Sequence, residues 1–202
     1  MLINCVLYEN GQRLADIPQQ DISEHVGRAE CFIWVGLLDP SPEELDEMAV
    51  EFGLHPLAVE DARKGHQRPK IEEYDDSLFA VLHTIDASED GSVELEIGEV
   101  DMFVGRNYVL SVRHRTRRGF SEVRQRCERE PELLRHGAGF VFYALMDAIV
   151  DRYFPVLQDL ESALEAAEQQ LFGSSSSSSK IEDLYALKGR LMTLKNAVLP
   201  LL

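Results

Sequence analysis

The spacing of apolar residues changes near residue 120 of this chain. Before that point, short apolar runs are separated by turn residues; after it, apolar residues recur every three or four positions. Short apolar runs indicate strands, and a spacing near 3.6 indicates helices. We therefore predict an α/β fold over residues 1–118. A long antiparallel helical hairpin is predicted over residues 119–202.

Four segments of the first part have the composition of strands: residues 2–8, 31–38, 77–85 and 93–114. The run at 77–85, SLFAVLHTI, is almost entirely apolar, as expected for a strand covered on both faces. The last segment is long enough for two strands joined by a tight turn at residues 105–107. Its apolar alternation changes phase at Gly98, which predicts a β-bulge there.

Two short helices are predicted between the second and third strand segments. In the first, Ser41 is a suitable N-cap, Pro42 suits the first helical position, and Gly53 ends the helix. Its apolar stripe consists of Leu45, Met48, Ala49 and Phe52. The second helix follows His55 and Pro56.

The second part of the chain predicts long helices. Residues 120–134 are predicted to form a charged amphipathic helix, and a heptad-like apolar series follows. The series consists of Tyr143, Met146, Val150, Tyr153, Leu157, Leu160, Leu164, Ala167 and Leu171, and after the serine-rich stretch 173–179 it resumes at Leu184, Leu187, Leu191, Leu194 and Val198. We predict a hairpin with the serines at its turn. Because the sequence stops at AVLPLL, within a predicted helix, we expect it to be part of a longer protein.

The charge of the chain limits its partners. With 36 acidic and 20 basic residues the formal net charge is −16, which argues against nucleic-acid binding and is compatible with attracting cations. Three widely spaced cysteines without a C-x-x-C pair predict free thiols in a reducing compartment. We find no signal peptide, no apolar run of membrane-spanning length and no catalytic motif, so an enzyme is not predicted.

The stretch LAVEDARKGHQRPKIEEY (57–74) concentrates charges of both signs. Glu60 and Asp61 carry the hard oxygen ligands that Mg²⁺ and Ca²⁺ prefer. Adjacent residues on a helix point in different directions, so the two acids suit two neighbouring sites better than one. The alternative is a pair of solvated acids balanced by Arg63 and Lys64.

Asp147 and Asp151 lie four residues apart, on one side of a predicted helix. Asp147 interrupts the apolar stretch FVFYALMDAIV, so its carboxylate needs a partner. That partner is either a metal ion or an arginine, with Arg68 and Arg152 as the candidates.

Three blocks of the sequence resemble the cytoplasmic domain of the CorA family of magnesium transporters. They are WVGLLDPSPEEL (34–45), LHPLAVEDARKGHQRPKIEEYDDSLFAVLHTI (54–85) and ALMDAIVDRYFPVLQDLE (144–161), in the family's order. The resemblance implies that the α/β part is a mixed β-sheet sandwiched between helices (α/β/α). It also implies a pentamer at the cytoplasmic face of the inner membrane, attached through membrane helices that this sequence lacks. It also implies regulatory Mg²⁺ bound between adjacent subunits, with Co²⁺ or other divalent cations as further candidates.

By this resemblance, Asp61 is a regulatory metal ligand. Glu60 and Asp147 belong to a second ion site, and His66 lies close to that site. The family's Gly-Met-Asn pore motif is absent here, and Gly36 stands where a polar or acidic residue is expected. Two alternatives stay open: the same domain of a ZntB-like zinc transporter, or an interaction module without a metal.

Overall fold

The computed structural model describes residues 1–87, 95–172 and 178–201, and its centre is a seven-stranded mixed sheet. The strands are β1 (Leu2–Glu9), β2 (Gln12–Asp16), β3 (Cys31–Leu38), β4 (Lys70–Tyr74), β5 (Ser77–Ala87), β6 (Leu95–Val104) and β7 (Tyr108–His114). Their order in the sheet is β2-β1-β3-β7-β6-β5-β4. Only β3 and β7 pair in parallel among these strands; every other neighbouring pair is antiparallel.

Helices cover both faces of the sheet, so the predicted α/β/α class is confirmed. One face carries α1 (Ile22–His25), α2 (Pro42–Phe52) and α3 (Pro56–Lys64), and the other carries α4 (Ser121–Glu128), α5 (Pro131–Leu134), α6 (Ala138–Asp151), α7 (Tyr153–Phe172) and α8 (Ser178–Val198). The long helices α7 and α8 pack against each other and against β5. The predicted serine turn falls mostly on residues 173–177, outside the described residues.

Local sequence signals predicted helix α2 correctly. The Ser41 hydroxyl accepts a hydrogen bond from the Glu44 N–H (3.3 Å), and the Glu44 carboxylate accepts one from the Ser41 N–H (2.9 Å). Gly53 follows α2 in the left-handed conformation, with φ of 61°. This reciprocal capping satisfies backbone donors that the helix itself leaves free.

The predicted β-bulge at Gly98 is wrong. The pairing of β5 with β6 continues without a shift, and Thr84 lies opposite Gly98. The change of apolar phase instead coincides with the end of β7, which pairs with β6 only as far as Glu99. Glycine is needed for space, because a Cβ atom at this position would lie 2.6 Å from Thr84 Oγ1 and 2.7 Å from Thr116 Cγ2.

The predicted single helix over residues 120–134 is also wrong. It consists of the two short helices α4 and α5, separated at Glu130, whose backbone is not helical (φ −122°, ψ 66°). The next residue is Pro131, which lacks an N–H and disfavours the helical conformation of the residue before it.

The heptad series does not form one continuous buried seam. Tyr143, Val150, Leu157 and Leu164 are exposed. The helix is interrupted at Arg152, and the buried residues of α6 and α7 in this core are Val141, Ala144, Leu145, Ile149, Tyr153, Val156 and Leu160, of which Tyr153 and Leu160 belong to the series. Contacts with the sheet as well as with the partner helix decide which residues are buried. The boundary predicted between residues 118 and 119 stays a prediction, and the helices after it share a core with the sheet.

The close packing around Gly98 gives a testable prediction. We expect Gly98→Ala to lower the free energy of unfolding by roughly 1–3 kcal/mol, because the added methyl group overpacks the sheet. The matched control is Gly189→Ala in α8, where a Cβ atom meets nothing within 4 Å; there we expect a gain of up to about 1 kcal/mol. Urea unfolding measures both, and equal effects of the two substitutions would contradict the described packing.

Candidate functional site

Three of the four predicted metal ligands lie where α3 turns into β4, at residues 60–70, which we call the α3 corner. Glu60 and Asp61 belong to the last turns of α3. The chain then passes through two consecutive residues with positive φ, Gly65 (60°) and His66 (58°). Positive φ is strained for a residue with a side chain, so His66 is held there by its surroundings.

Each predicted ligand in the α3 corner already contacts a basic side chain. Lys70 Nζ lies 2.7 Å from Asp61 Oδ2 and also 2.7 Å from Glu72 Oε2. Glu60 pairs with Lys64. His66 Nε2 lies 2.6 Å from Arg115 Nη1. The hydrogen bond from Lys70 lowers the pKa of Glu72.

Asp147 lies on the opposite face of the sheet, in α6. Its Oδ2 atom lies 2.9 Å from Nη2 of Arg126 in α4. The two arginines predicted as its partners are therefore wrong: Arg152 donates to the Gly119 carbonyl instead, and Arg68 does not appear among the ion pairs of the described residues. Within one chain, Asp147 is separated by the sheet from Glu60, Asp61 and His66.

A single chain therefore contains no assembled metal site in the part that the structure describes. Among those residues, no three His, Cys, Asp or Glu side chains converge to hold a metal ion. The donor chemistry still fits a hard divalent cation, since carboxylate oxygens are its preferred ligands. What one chain offers is separate carboxylates, each contacting a base, so a complete site needs ligands from elsewhere.

Sequence reasoning missed a buried ionisable cluster directly beneath the α3 corner. His83, Glu99 and His114 lie side by side across β5, β6 and β7. Asp101 follows two residues after Glu99, on the same face of β6. Glu99 is 1% exposed and Asp101 is completely buried. We call these four residues the buried cluster.

The buried cluster holds the backbone of the α3 corner. Glu99 Oε2 accepts a hydrogen bond from the Gln67 N–H (2.9 Å), and His83 Nε2 lies 2.8 Å from the Gln67 carbonyl oxygen. His114 Nε2 lies 3.5 Å from Asp101 Oδ2. Among the described residues, both oxygens of Asp101 and Oε1 of Glu99 have no hydrogen-bond partner, which is costly for buried carboxylates.

Burial sets the protonation of this cluster. Desolvation, reinforced by the neighbouring Asp101, raises the pKa of Glu99 to about 7. Desolvation also raises the pKa of Asp101. The Asp101 carboxylate raises the pKa of His114, whereas burial lowers the pKa of His83. The missed signal was the segment GEVDMFV, in which two acids flank a valine inside a strand that should be buried on both faces.

Comparison with known proteins gives consistent matches along most of the chain. The family model described as "CorA-like Mg2+ transporter protein" matches residues 29–202. In the part of the chain that the structure describes, no helix combines the length and apolar character needed to cross a membrane.

Two curated relatives have names that refer to metal transport. The putative metal ion transporter YfjQ of Bacillus subtilis is 30% identical over 85% of this chain and 52% of its own length. The cobalt/magnesium transport protein CorA of Thermotoga maritima is 30% identical over 74% of this chain and 42% of its own length. The chain thus spans about half the length of these relatives.

The solved structure of the ZntB cytoplasmic domain from Vibrio parahaemolyticus has the same fold. The superposition spans 98% of this chain and 75% of that structure, with a TM-score of 0.71 and 14% sequence identity. At this level of identity, the similarity concerns the fold alone.

The raised pKa of Glu99 gives a prediction about pH. Between the ordinary value of 4.5 and about 7 the folded state binds more protons than the unfolded state, so stability falls as pH rises through this window. Glu99→Gln cannot ionise. We expect it to match the parent chain near pH 5 and to exceed its free energy of unfolding at pH 8 by roughly 1–3 kcal/mol.

Urea unfolding at pH 5, 6, 7 and 8 measures this difference. The control is Glu73→Gln, which alters an exposed acid of β4 and should give the same difference at every pH. A difference for Glu99→Gln that does not grow with pH would contradict a proton held at Glu99.

Proposed function

The chain belongs to the family of CorA-like Mg²⁺ transporter proteins, and from that premise we propose that it is the cytoplasmic, divalent-cation-sensing part of a CorA-type magnesium transporter. The observation that supports sensing is a group of two carboxylates that share one base. One lysine, Lys70, lies between the carboxylates of Asp61 and Glu72, at 2.7 Å from each. These three groups sum to −1, so this trio keeps one negative charge that a cation can neutralise.

The proposed sensor works between copies of the chain. We propose that the transporter is a pentamer whose membrane helices lie outside this sequence, with this part at the cytoplasmic face. Where such carboxylates of neighbouring copies meet, they repel. A bound Mg²⁺ neutralises them and bridges the copies, and it favours the closed arrangement because it binds that arrangement better.

The four predicted ligands have distinct roles in this proposal. Asp61, the least exposed of the corner acids, is a direct ligand between copies. Glu60 and Asp147 belong to a second site, with His66 beside it. Their basic partners Lys64 and Arg126 must then give up these carboxylates when the ion binds. Because Mg²⁺ retains several of its water molecules, few protein ligands are needed.

Two alternatives have support of different kinds. The fold is shared with a ZntB domain, so a zinc transporter has the same architecture, whereas a sequence relative of this chain is named for cobalt and magnesium. An interaction module without a metal agrees with the pairing of every candidate ligand with a base. One experiment can test both which ion the chain binds and whether it senses that ion.

That experiment is titration of the chain with Mg²⁺ at constant ionic strength, followed by calorimetry and sedimentation velocity. We expect saturable binding accompanied by association of the chain. Asp61→Asn and Asp147→Asn should each weaken the apparent affinity about tenfold or more, because each removes a carboxylate ligand. Asp159→Asn, at an exposed position of α7, is the matched control and should leave it unchanged.

Other outcomes separate the alternatives. Binding of Zn²⁺ without Mg²⁺ would favour the zinc transporter. Equal effects of Asp61→Asn and Asp159→Asn would indicate a general field effect of the acidic surface. The absence of both binding and association would favour the module without a metal.

A further inference from the structure

A second charged feature lies on the other face of the sheet and plays no part in the proposed cation sensing. A hollow of about 330 Å³ opens between the sheet and the first turn of α4. Six of its lining residues matter here: Asn4, Gly36, Ser111, Arg113, Ser121 and Arg124. We call it the α4 hollow.

Small side chains in one row of the sheet create the α4 hollow. Asn4 of β1 pairs with Gly36 of β3, which pairs with Ser111 of β7. The adjacent row holds the large residues Val6, Trp34 and Val109. Because Gly36 has no side chain, space is left between the sheet and α4 at this position. A Cβ atom there would meet the Asn4 side-chain amide at 3.2–3.3 Å.

Arg113 brings a positive charge into this space without a counter-ion. It is the buried arginine of the described residues, at 7% exposure. Its Nη1 donates to the Arg118 carbonyl (3.2 Å), and its guanidinium lies 5.9 Å from the Phe120 ring centre. Within the described part of the chain it has no carboxylate at ion-pair distance. Burying such a charge is costly unless an anion pairs with it.

Arg124 of α4 is a second arginine that lines the hollow, on the side opposite the sheet. Its guanidinium stacks on Trp34, 4.6 Å from the ring centre, and donates to the Asn4 side-chain oxygen. Burial lowers the pKa of both arginines, and the charge of Arg152 further lowers that of Arg113. In contrast, exposed arginines such as Arg63, Arg126 and Arg135 do pair with carboxylates. Carboxylates act on these two arginines only from beyond ion-pair distance among the described residues, Asp39 on Arg113 and Glu128 and Asp16 on Arg124.

Two further features bear on the charge of the α4 hollow. No side chain caps the N-terminus of α4, so its first N–H groups and its dipole favour an anion in the hollow. The carboxylate in the lining is Glu128, which accepts a hydrogen bond from the Tyr8 hydroxyl (2.8 Å) and raises the pKa of Arg124 by its charge. Arg13, also in the lining, pairs with Asp16.

We propose that the α4 hollow binds a phosphate group, as inorganic phosphate or a small phosphate monoester, between Arg113, Arg124 and the N-terminus of α4. Guanidinium groups bind phosphate oxygens through paired, charge-assisted hydrogen bonds, and helix N-terminal N–H groups supply further donors. The phosphate is the missing counter-ion of Arg113. Binding joins α4 to the ends of β1, β3 and β7.

The test is titration of the chain with inorganic phosphate at ionic strength matched with NaCl. Trp34, the single tryptophan, lies beneath Arg124 and reports binding by its fluorescence. We expect a saturable change, together with a rise in Tm. A change that follows ionic strength alone, with no saturation by phosphate, would overturn the proposal. A parallel titration with AMP distinguishes the two forms of the phosphate ligand. Tighter binding of AMP indicates that the ligand is a monoester, and tighter binding of phosphate indicates that it is the free ion.

Variants locate the binding at the hollow. By calorimetry, Arg124→Gln should bind phosphate about tenfold or more weakly, since one guanidinium–phosphate pair is lost. Arg135→Gln, at an exposed arginine paired with Glu132, should bind as the parent chain does. Unchanged affinity in Arg124→Gln would place the anion elsewhere and overturn the assignment.

Because Arg113→Gln risks unfolding a buried site, Gly36→Asp is the second variant. It supplies an internal carboxylate in the floor, and the flexible Asn4 amide is the group that must shift to admit it. We expect a folded chain that has lost phosphate binding and no longer gains Tm from phosphate. A folded Gly36→Asp chain with the parent affinity would exclude Arg113 as the binding group. None of these readouts depends on Mg²⁺, so this proposal and the cation-sensing proposal can fail separately.

Discussion

The parallel pairing of β3 with β7 is the contact on which the rest of the structure depends. It joins an N-terminal group of three strands to the four strands β4–β7 and places both strands in the interior of the sheet. Parallel strands in such a position need cover on both faces. The two hydrophobic clusters, one under α1–α3 and the other under α4–α8, supply that cover. The buried cluster and the α4 hollow both lie where this cover is interrupted by polar side chains.

Two interruptions occur on opposite faces of the same sheet and have opposite charge. Under α3, β6 presents the two acids Glu99 and Asp101 to the interior. Under α4, β7 presents Arg113 to the interior, and the space around it is basic. Because alternate residues of a strand face opposite sides, a sheet of this kind keeps an acidic and a basic site apart. The electrostatic fields of the acidic and the basic site then need not cancel.

The sequence was informative where the cause of structure is local. Ser41, Pro42 and Gly53 predicted the bounds of α2, and the almost unbroken apolar run 77–85 predicted a strand covered on both faces. The errors arose where tertiary contacts decide. The spacing of Tyr143, Val150 and Leu157 satisfied a heptad, yet these three side chains are exposed, because contacts with the sheet help to decide which residues of the helices are buried. Likewise, the phase change at Gly98 reflected the end of a neighbouring strand, which no local pattern records.

The functional residues divide in the same way. The resemblance supplied Glu60, Asp61, His66 and Asp147, but pairing partners such as Arg126 depend on which helices meet. The buried cluster required knowing that His83, Glu99 and His114 fall in one row across three strands. Its position matters because Glu99 and His83 both bind the backbone of Gln67, next to His66. Any rearrangement of the α3 corner must therefore break hydrogen bonds to a carboxyl group that is fully removed from water. Such contacts favour two discrete arrangements of the corner over a gradual deformation.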